Sequence, residues 1–171
     1  MSFCFLLCFK ANLYCPNSGA ALKRLDYRMQ WDDDLLTRMQ EIVENRRRPV
    51  IWLGDLNVAH KRLDVYNYGA KHLLKQAGCT IEEKDSFSRQ LGAGFVDIFR
   101  YLHPDAEGQY TYWSTRTRAR KPNRGLRLDY FVGSSCLLDT NGKIQAKDSY
   151  ILFDQEGSDH CPVVLELEIK N

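Results

Sequence analysis

The 171-residue sequence lacks the compositional features that mark several protein classes. Its six cysteines show neither the close pairing of a zinc site nor the density of a disulfide-stabilised scaffold, which favours a reduced compartment. The net charge is only +2, so a nucleic-acid partner has to be inferred from where the charges lie. With 44% hydrophobic residues, the chain is long enough for one domain with an ordinary core.

Internal repeats, low-complexity tracts, linkers and long apolar runs are also absent from the sequence. The apolar opening segment, residues 1–9, is too short to span a bilayer. It has no preceding basic residue and no small-residue cleavage motif, so it does not resemble a signal peptide. We interpret it as part of a buried strand at 5–14, and we expect no membrane association.

Apolar strands alternate with helical segments along the chain. Leu22, Leu25, Met29, Leu36, Met39 and Val43 recur at three- and four-residue spacings, which predicts a helix at 22–46. Further helices are predicted at 68–77 and 80–91, and further strands at 49–53, 126–132 and 162–169. This interleaving predicts an α/β or α+β fold with a mixed sheet, although spacing alone does not distinguish the two.

Polar side chains follow the predicted strand at 49–53. Asp55 and Asn57 lie two residues apart, so both can point into a crevice at the carboxyl end of the sheet. The alternative is ordinary turn chemistry, in which the aspartate accepts hydrogen bonds from its own backbone. The residues alone leave both interpretations open.

Two further polar clusters lie at predicted strands. Asp129 stands within an apolar strand, where a carboxylate needs a partner, and Arg127 on the same face offers a plain ion pair. Asp159 and His160 directly precede the last strand, where a histidine is often only a surface or capping residue. Three strand-end carboxylates would repel one another unless a cation or a protonated histidine lay among them.

Five segments, in order along the chain, resemble the motifs of the exonuclease III-type apurinic/apyrimidinic (AP) endonucleases, most closely the eukaryotic ones. They are residues 14–17 (Tyr-Cys-Pro-Asn), 54–60 (Gly-Asp-Leu-Asn-Val-Ala-His), 110–113 (Tyr-Thr-Tyr-Trp), 127–131 (Arg-Leu-Asp-Tyr-Phe) and 157–162 (Gly-Ser-Asp-His-Cys-Pro). The match covers nearly the whole chain from Leu13 onward. The resemblance implies the C-terminal portion of a four-layer α/β sandwich with mixed sheets, formed by one truncated domain over 1–171.

The resemblance also implies hydrolysis of DNA 5′ to abasic sites in base-excision repair, with 3′-exonuclease or 3′-phosphodiesterase activity. Asp55 would then orient and deprotonate the attacking water, and Asn57 would hold that water or the developing charge. His160, oriented by Asp129, would contact a phosphate oxygen, and Tyr14 would reach the phosphate or the leaving group. The metal region would comprise Asp55, Asn57, Asp159 and His160. Oxygen ligands without cysteine indicate Mg²⁺, or Mn²⁺, rather than zinc.

A basic loop follows the aromatic pair of the third motif. Arginines interleaved with small residues fit a phosphate backbone, although a solubilising loop is equally compatible with the composition. The predicted DNA-binding residues are Tyr112, Trp113, Arg116, Arg118, Arg120 and Leu126. In the eukaryotic enzymes an aromatic residue stands in place of Leu126, and an arginine that wedges into DNA stands in place of Ala20. Abasic-site preference is therefore less well supported than phosphodiester hydrolysis.

The metal-binding glutamate of the family, with its companion asparagine and aspartate, belongs to an N-terminal half that we do not find in this sequence. We therefore expect the isolated chain to have little or no activity. The alternatives are a catalytically inactive DNA-binding remnant and another phosphodiesterase of the superfamily. For the complete protein we expect a monomer that acts on double-stranded abasic DNA in the nucleus, with mitochondria as the alternative location.

Overall fold

The computed structural model describes residues 7–170 and contains a four-stranded mixed sheet. Its strands are β1 (Phe9–Tyr14), β2 (Val50–Asp55), β3 (Phe95–Asp97) and β4 (Asp129–Ser134), in the spatial order β1-β2-β4-β3. β1 runs parallel to β2, whereas β4 runs antiparallel to both β2 and β3. The predicted mixed sheet is confirmed. Residues 5 and 6 of the predicted first strand lie outside the described residues.

A second, two-stranded sheet is formed by β5 (Ile144–Ile151) and β6 (Val163–Ile169), which run antiparallel. β6 confirms the strand predicted from the alternation of apolar and polar residues. β5 was not predicted. Its register shifts between Ala146 and Asp148, and such an irregularity breaks the alternation by which a strand is recognised.

Three α-helices lie entirely within residues 7–170 and accompany the sheets: α1 (Leu25–Arg46), α2 (Ile81–Gly92) and α3 (Ile98–Leu102). The helix predicted at 22–46 starts three residues later, because Ala21 and Leu22 have φ values of 52° and 59° and form only a short 3₁₀ turn before α1. α2 confirms the helix predicted at 80–91, and Thr80 caps it by accepting a hydrogen bond from the Glu83 amide.

The α-helix predicted at 68–77 is wrong. That segment forms only a 3₁₀ helix, Lys71–Lys75, in which Leu73 is the buried residue. Gly69, with a φ of 93°, lies just before it in a conformation that a helix does not contain. With little apolar surface to bury, the segment gains too little from packing to extend a regular helix.

The four-stranded sheet is covered on both faces. On one face, apolar residues of α1 and α2, such as Met39 and Phe87, pack against Trp52 and Val132. On the other face, Ile51 lies in a second cluster with Ile144 and Ala146 of β5 and with Ile98 of α3. Helices, the mixed sheet and the small sheet therefore form successive layers, which confirms the predicted α/β class. Within residues 7–170, no helix is both long enough and apolar enough to cross a membrane.

Candidate active site

Three predicted site residues lie in one row across the four-stranded sheet. Tyr14 of β1 is in register with Asp55 of β2, which is in register with Asp129 of β4. Tyr14 and Asp55 end their strands and Asp129 begins its strand, and β4 runs opposite to the other two. The three residues therefore meet at the same edge of the sheet, although 115 positions separate the first from the last.

Asp55 and Asn57 form a hydrogen-bonded pair at this edge. The Asn57 amide donates to Oδ1 of Asp55 at 2.9 Å, and Nδ2 of Asn57 donates to Oδ2 of Asp55 at 3.1 Å. Nδ2 also donates to the Cys15 carbonyl, and Oδ1 of Asn57 accepts from Nδ2 of Asn17. The backbone contact is the turn chemistry expected from the sequence, while the side-chain contacts fix both polar groups in place.

Asn17 is a site residue that was not predicted. Its side chain holds the Asn57 amide from one side at 2.9 Å, and its Oδ1 accepts from the amide of Gly19 at 2.8 Å. Its place in the Tyr-Cys-Pro-Asn segment, next to Tyr14, was the sequence feature that could have indicated it. Tyr14 itself is 69% exposed, so it lies at the rim of the site.

His160 is the partner of Asp129. Its Nδ1 lies 2.7 Å from Oδ2 of Asp129, and its ring lies against the ring of Tyr112 at a centroid distance of 5.0 Å. Arg127, which the sequence offered as the partner of Asp129, instead contacts Asp97. The alternative of a plain ion pair between Arg127 and Asp129 is therefore ruled out, and the contact of Asp129 with His160 that the family resemblance implied is present.

The charges at this edge perturb one another. Burial raises the pKa of Asp55, and the nearby charge of Asp129 raises it further, against the opposing hydrogen bond from the Asn57 amide. Burial lowers the pKa of His160, but the hydrogen bond and charge of Asp129, together with Asp55 and Asp159, outweigh it and raise the pKa above its ordinary value. The site thus combines a carboxylate with increased proton affinity and a histidine that is easily protonated.

An NMR titration should detect the pairing of His160 with Asp129. We expect the pKa of His160 to lie above 6.5 and to fall in an Asp129→Asn variant. Because the folded-state pKa is raised, the pair stabilises the fold below pH 6.5, and this contribution is lost as the pH rises through the folded pKa. Wild type should therefore exceed the variant in unfolding free energy by more at pH 5.5 than at pH 8.5.

His60 is an internal reference for that titration, since burial lowers its pKa to about 4. Its Nε2 lies 2.7 Å from the Ser88 hydroxyl, away from Asp129, so the variant should leave its titration unchanged. An identical His160 pKa in both proteins would contradict the assigned pairing.

The site supplies few metal ligands. Within residues 7–170, no group of three or more His, Cys, Asp or Glu side chains is arranged to hold a metal ion. Both carboxylate oxygens of Asp55 already accept from Asn57, and the Asp159 side chain lies half-buried next to His160. Asp55, Asn57, Asp159 and His160 thus do not form a complete cation site by themselves.

The predicted DNA-binding residues differ in how far their side chains are exposed to solvent. Tyr112 is half-buried next to His160 and, with the buried Leu126, lines a cavity of about 490 Å³. Arg116 and Arg118 are exposed in the basic loop. Trp113 is only 3% exposed, and its Nε1 donates to Oδ1 of Asn123.

Arg120 makes contacts within the protein. Its guanidinium donates to the carbonyls of Phe153 and Ser158 at 2.9 and 3.0 Å and lies 5.0 Å from the Trp113 ring centroid. It therefore holds the basic loop against the segment that leads to His160. Of the predicted arginines, Arg116 and Arg118 have the guanidinium groups that are best placed to meet a partner.

Comparison with known proteins agrees with the resemblance of the five sequence motifs. Residues 11–160 match the Endonuclease/Exonuclease/phosphatase family. An exodeoxyribonuclease of Bacillus subtilis is 47% identical over 161 residues, which cover 94% of this chain and 60% of that protein. A DNA-(apurinic or apyrimidinic site) endonuclease of Dictyostelium discoideum is 42% identical over 160 residues, covering 92% of this chain and 42% of that protein.

Solved structures agree with the sequence comparison. The crystal structure of an AP endonuclease from Leishmania major superposes with a TM-score of 0.83 at 36% identity, covering 95% of this chain and 50% of that one. An AP endonuclease from Archaeoglobus fulgidus superposes with a TM-score of 0.78 at 26% identity, covering 95% and 62%. The chain thus spans about half the length of the relatives that it matches. By sequence and by fold, this chain belongs to the endonuclease/exonuclease/phosphatase family.

Proposed function

We propose that this chain carries the proton-transfer and phosphate-contacting part of a DNA-(apurinic or apyrimidinic site) endonuclease. The proposed reaction is hydrolysis of the DNA backbone 5′ to an abasic site, with accompanying 3′-exonuclease or 3′-phosphodiesterase activity. The observation that carries the proposal is the row of Asp55 and Asp129 at one sheet edge, with His160 bonded to Asp129. The names of the relatives, an exodeoxyribonuclease and an AP endonuclease, support the choice of DNA as substrate.

Each group at the edge has a chemical task in this proposal. Asp55 has a raised pKa and is held by Asn57, so it is suited to orient a water molecule and to take its proton. His160, when protonated, donates a hydrogen bond to a phosphate oxygen as negative charge develops there. Asp129 holds the ring of His160 through Nδ1, which leaves Nε2 for the phosphate. Tyr14, at the exposed rim, reaches the departing oxygen.

Members of this family generally depend on divalent metal ions. We propose Mg²⁺, or Mn²⁺, because the polar groups at the edge are mainly hard oxygen donors. Residues 7–170 would furnish only part of its coordination. Bound there, the ion would supply positive charge next to the phosphate.

The test is incision of a labelled duplex that contains one abasic site, with Mg²⁺ and with a chelator. We expect the 171-residue chain alone to produce little or no incision, because its ligand set is incomplete and loss of one part of a cooperating site removes most of the activity. Adding the other half of the domain, taken from a relative and supplied fused or in trans, should restore Mg²⁺-dependent incision.

Two outcomes would oppose the proposal. Strong chelator-sensitive incision by the chain alone would show that its own residues complete the metal site. Absence of incision after a folded complex has formed with the added half would favour a catalytically inactive DNA-binding remnant, and gel-shift binding of the abasic duplex would then identify it.

A further inference from the structure

Arg28 is a buried cation directly behind the site. It lies in the first turn of α1 and is 2% exposed. Its Nε donates to Oδ1 of Asp32, one helical turn away, at 2.8 Å. The rest of the guanidinium points out of the helix toward the edge of the sheet. An arginine buried to this extent requires hydrogen-bond acceptors for all its donors, and here most of the acceptors are backbone carbonyls.

These carbonyls belong to the two turns that carry the site. Nη2 donates to the carbonyl of Leu56 at 2.7 Å, and Nη1 reaches the carbonyls of Asn57 at 3.3 Å and Pro16 at 3.0 Å. The Leu56 and Asn57 carbonyls belong to the two peptide groups that flank Asn57. One guanidinium therefore holds both peptide planes of this residue.

Asn57 needs such a restraint, because its φ is 47°, in the left-handed region that residues other than glycine seldom adopt. This conformation directs its side chain toward Asp55. The third carbonyl, that of Pro16, directly precedes Asn17, whose side chain holds Oδ1 of Asn57. Arg28 thus fixes Asn57 through the backbone and supports the turn from which Asn17 contacts it.

Stability alone is a poor reason for a cation at this position. A buried ion pair can often be replaced by apolar residues of similar volume without loss of stability, because taking two charges out of water opposes their attraction. What an apolar side chain cannot supply is a set of donors directed at three carbonyls in two turns. The contacts of Arg28 are therefore better explained by the geometry that they impose on Asn57.

We propose that Arg28 is a positioning residue: it sets the orientation of Asn57, and through it that of the Asp55 carboxylate, without touching substrate. This inference rests on the proposed function, since the consequence that it predicts is a loss of backbone cleavage. The expected loss is about 10- to 100-fold in kcat, the effect of misplacing a reacting group by about an ångström. KM should change less than about twofold, because Arg28 is too buried to bind substrate.

The experiment compares Arg28→Lys with the double variant Arg28→Met and Asp32→Leu, which leaves no charge unpaired. Kinetics are measured in the protein that contains the whole family domain. NMR of the side-chain amides of Asn57 and Asn17 is recorded on this chain. Arg89→Met, which removes an exposed ion pair with Asp33, is the control and should match wild type in both measurements.

We expect the double variant to remain folded, to lose kcat as stated, and to show both amide signals shifted toward the positions of free asparagine. Arg28→Lys should lie between wild type and the double variant, since lysine keeps the charge but lacks the planar fork. Unchanged amide signals, or a kcat within twofold of wild type, would overturn the inference. If the wild-type protein were inactive but the amide signals still shifted in the double variant, the proposed function would be wrong and the positioning role of Arg28 would still hold.

Discussion

Replacing Asp55 with asparagine is expected to lower the rate of backbone cleavage about 10³-fold or more, in the protein that contains the whole family domain. The substitution keeps the shape of the side chain and its contact with the Asn57 amide, but it removes the proton acceptor. The measurement is single-turnover incision of an abasic duplex. Asp26, an exposed carboxylate on α1, is the matched control, and Asp26→Asn should cleave at the wild-type rate.

The same variant should lose little stability, which separates a catalytic carboxylate from a structural one. The folded-state pKa of Asp55 is raised, so the charged form is disfavoured in the fold and its unfavourable contribution is fully present at neutral pH. Asp55→Asn removes that charge but also the acceptor of the hydrogen bond from Nδ2 of Asn57, so the two effects oppose each other and urea unfolding at pH 7.5 should give a free energy within about 1 kcal/mol of wild type. A large loss of stability together with the loss of activity would reassign Asp55 to a structural role.

The second large effect concerns Arg127, a buried cation 1% exposed. Its Nη2 lies 2.5 Å from Oδ2 of Asp97, and its Nε donates to Oδ1 of Asp64 at 2.9 Å. Burial lowers the pKa of Arg127, but these two carboxylates hold it well above the ordinary value, so the side chain stays charged. Asp97→Ala would remove one of the two carboxylates and leave the buried Nη1 and Nη2 groups of Arg127 without their acceptors, so we expect a loss of about 3–5 kcal/mol in unfolding free energy.

Urea unfolding measures this loss directly. The matched control is Asp33→Ala, which breaks the exposed pair with Arg89 and should cost less than about 1 kcal/mol, because solvent screens both charges. Asp97 also accepts a hydrogen bond from the Arg100 amide at the start of α3, which adds to the expected difference. Equal losses in the two variants would contradict the inference that Arg127 depends on Asp97.

The elements that could be predicted are those whose sequence pattern reflects burial on one face. Leu165, Leu167 and Ile169 alternate with two glutamates in β6, and the apolar positions of α1 recur with helical spacing. Each of these patterns lies within one short stretch of sequence, so the pattern can be recognised without knowledge of the fold. The 3₁₀ segment around Leu73 lacks a comparable apolar face, and the α-helix predicted at 68–77 was therefore wrong.

The partners of buried charges could not be predicted from spacing. In a regular strand Arg127 and Asp129 would point to the same face, because they are two residues apart. Arg127 instead lies before the first residue of β4, and its side chain contacts Asp97, 30 positions away in the sequence. The contact of His160 with Asp129 was expected only through the family resemblance. Long-range pairs depend on how the strands are ordered, and local periodicity contains no information on that order.

The row formed by Tyr14, Asp55 and Asp129 exists only in the register in which β1, β2 and β4 pair. Successive side chains of a strand point to opposite faces, so a slip of one residue between β2 and β4 would move Asp129 to the other side of the sheet while keeping most backbone hydrogen bonds. Insertions or deletions inside these strands would therefore displace the site residues together with the buried side chains of β2 and β4. The exposed turn around Asn141 lies outside the paired strands, between β4 and β5, and should accept changes in length that β4 cannot.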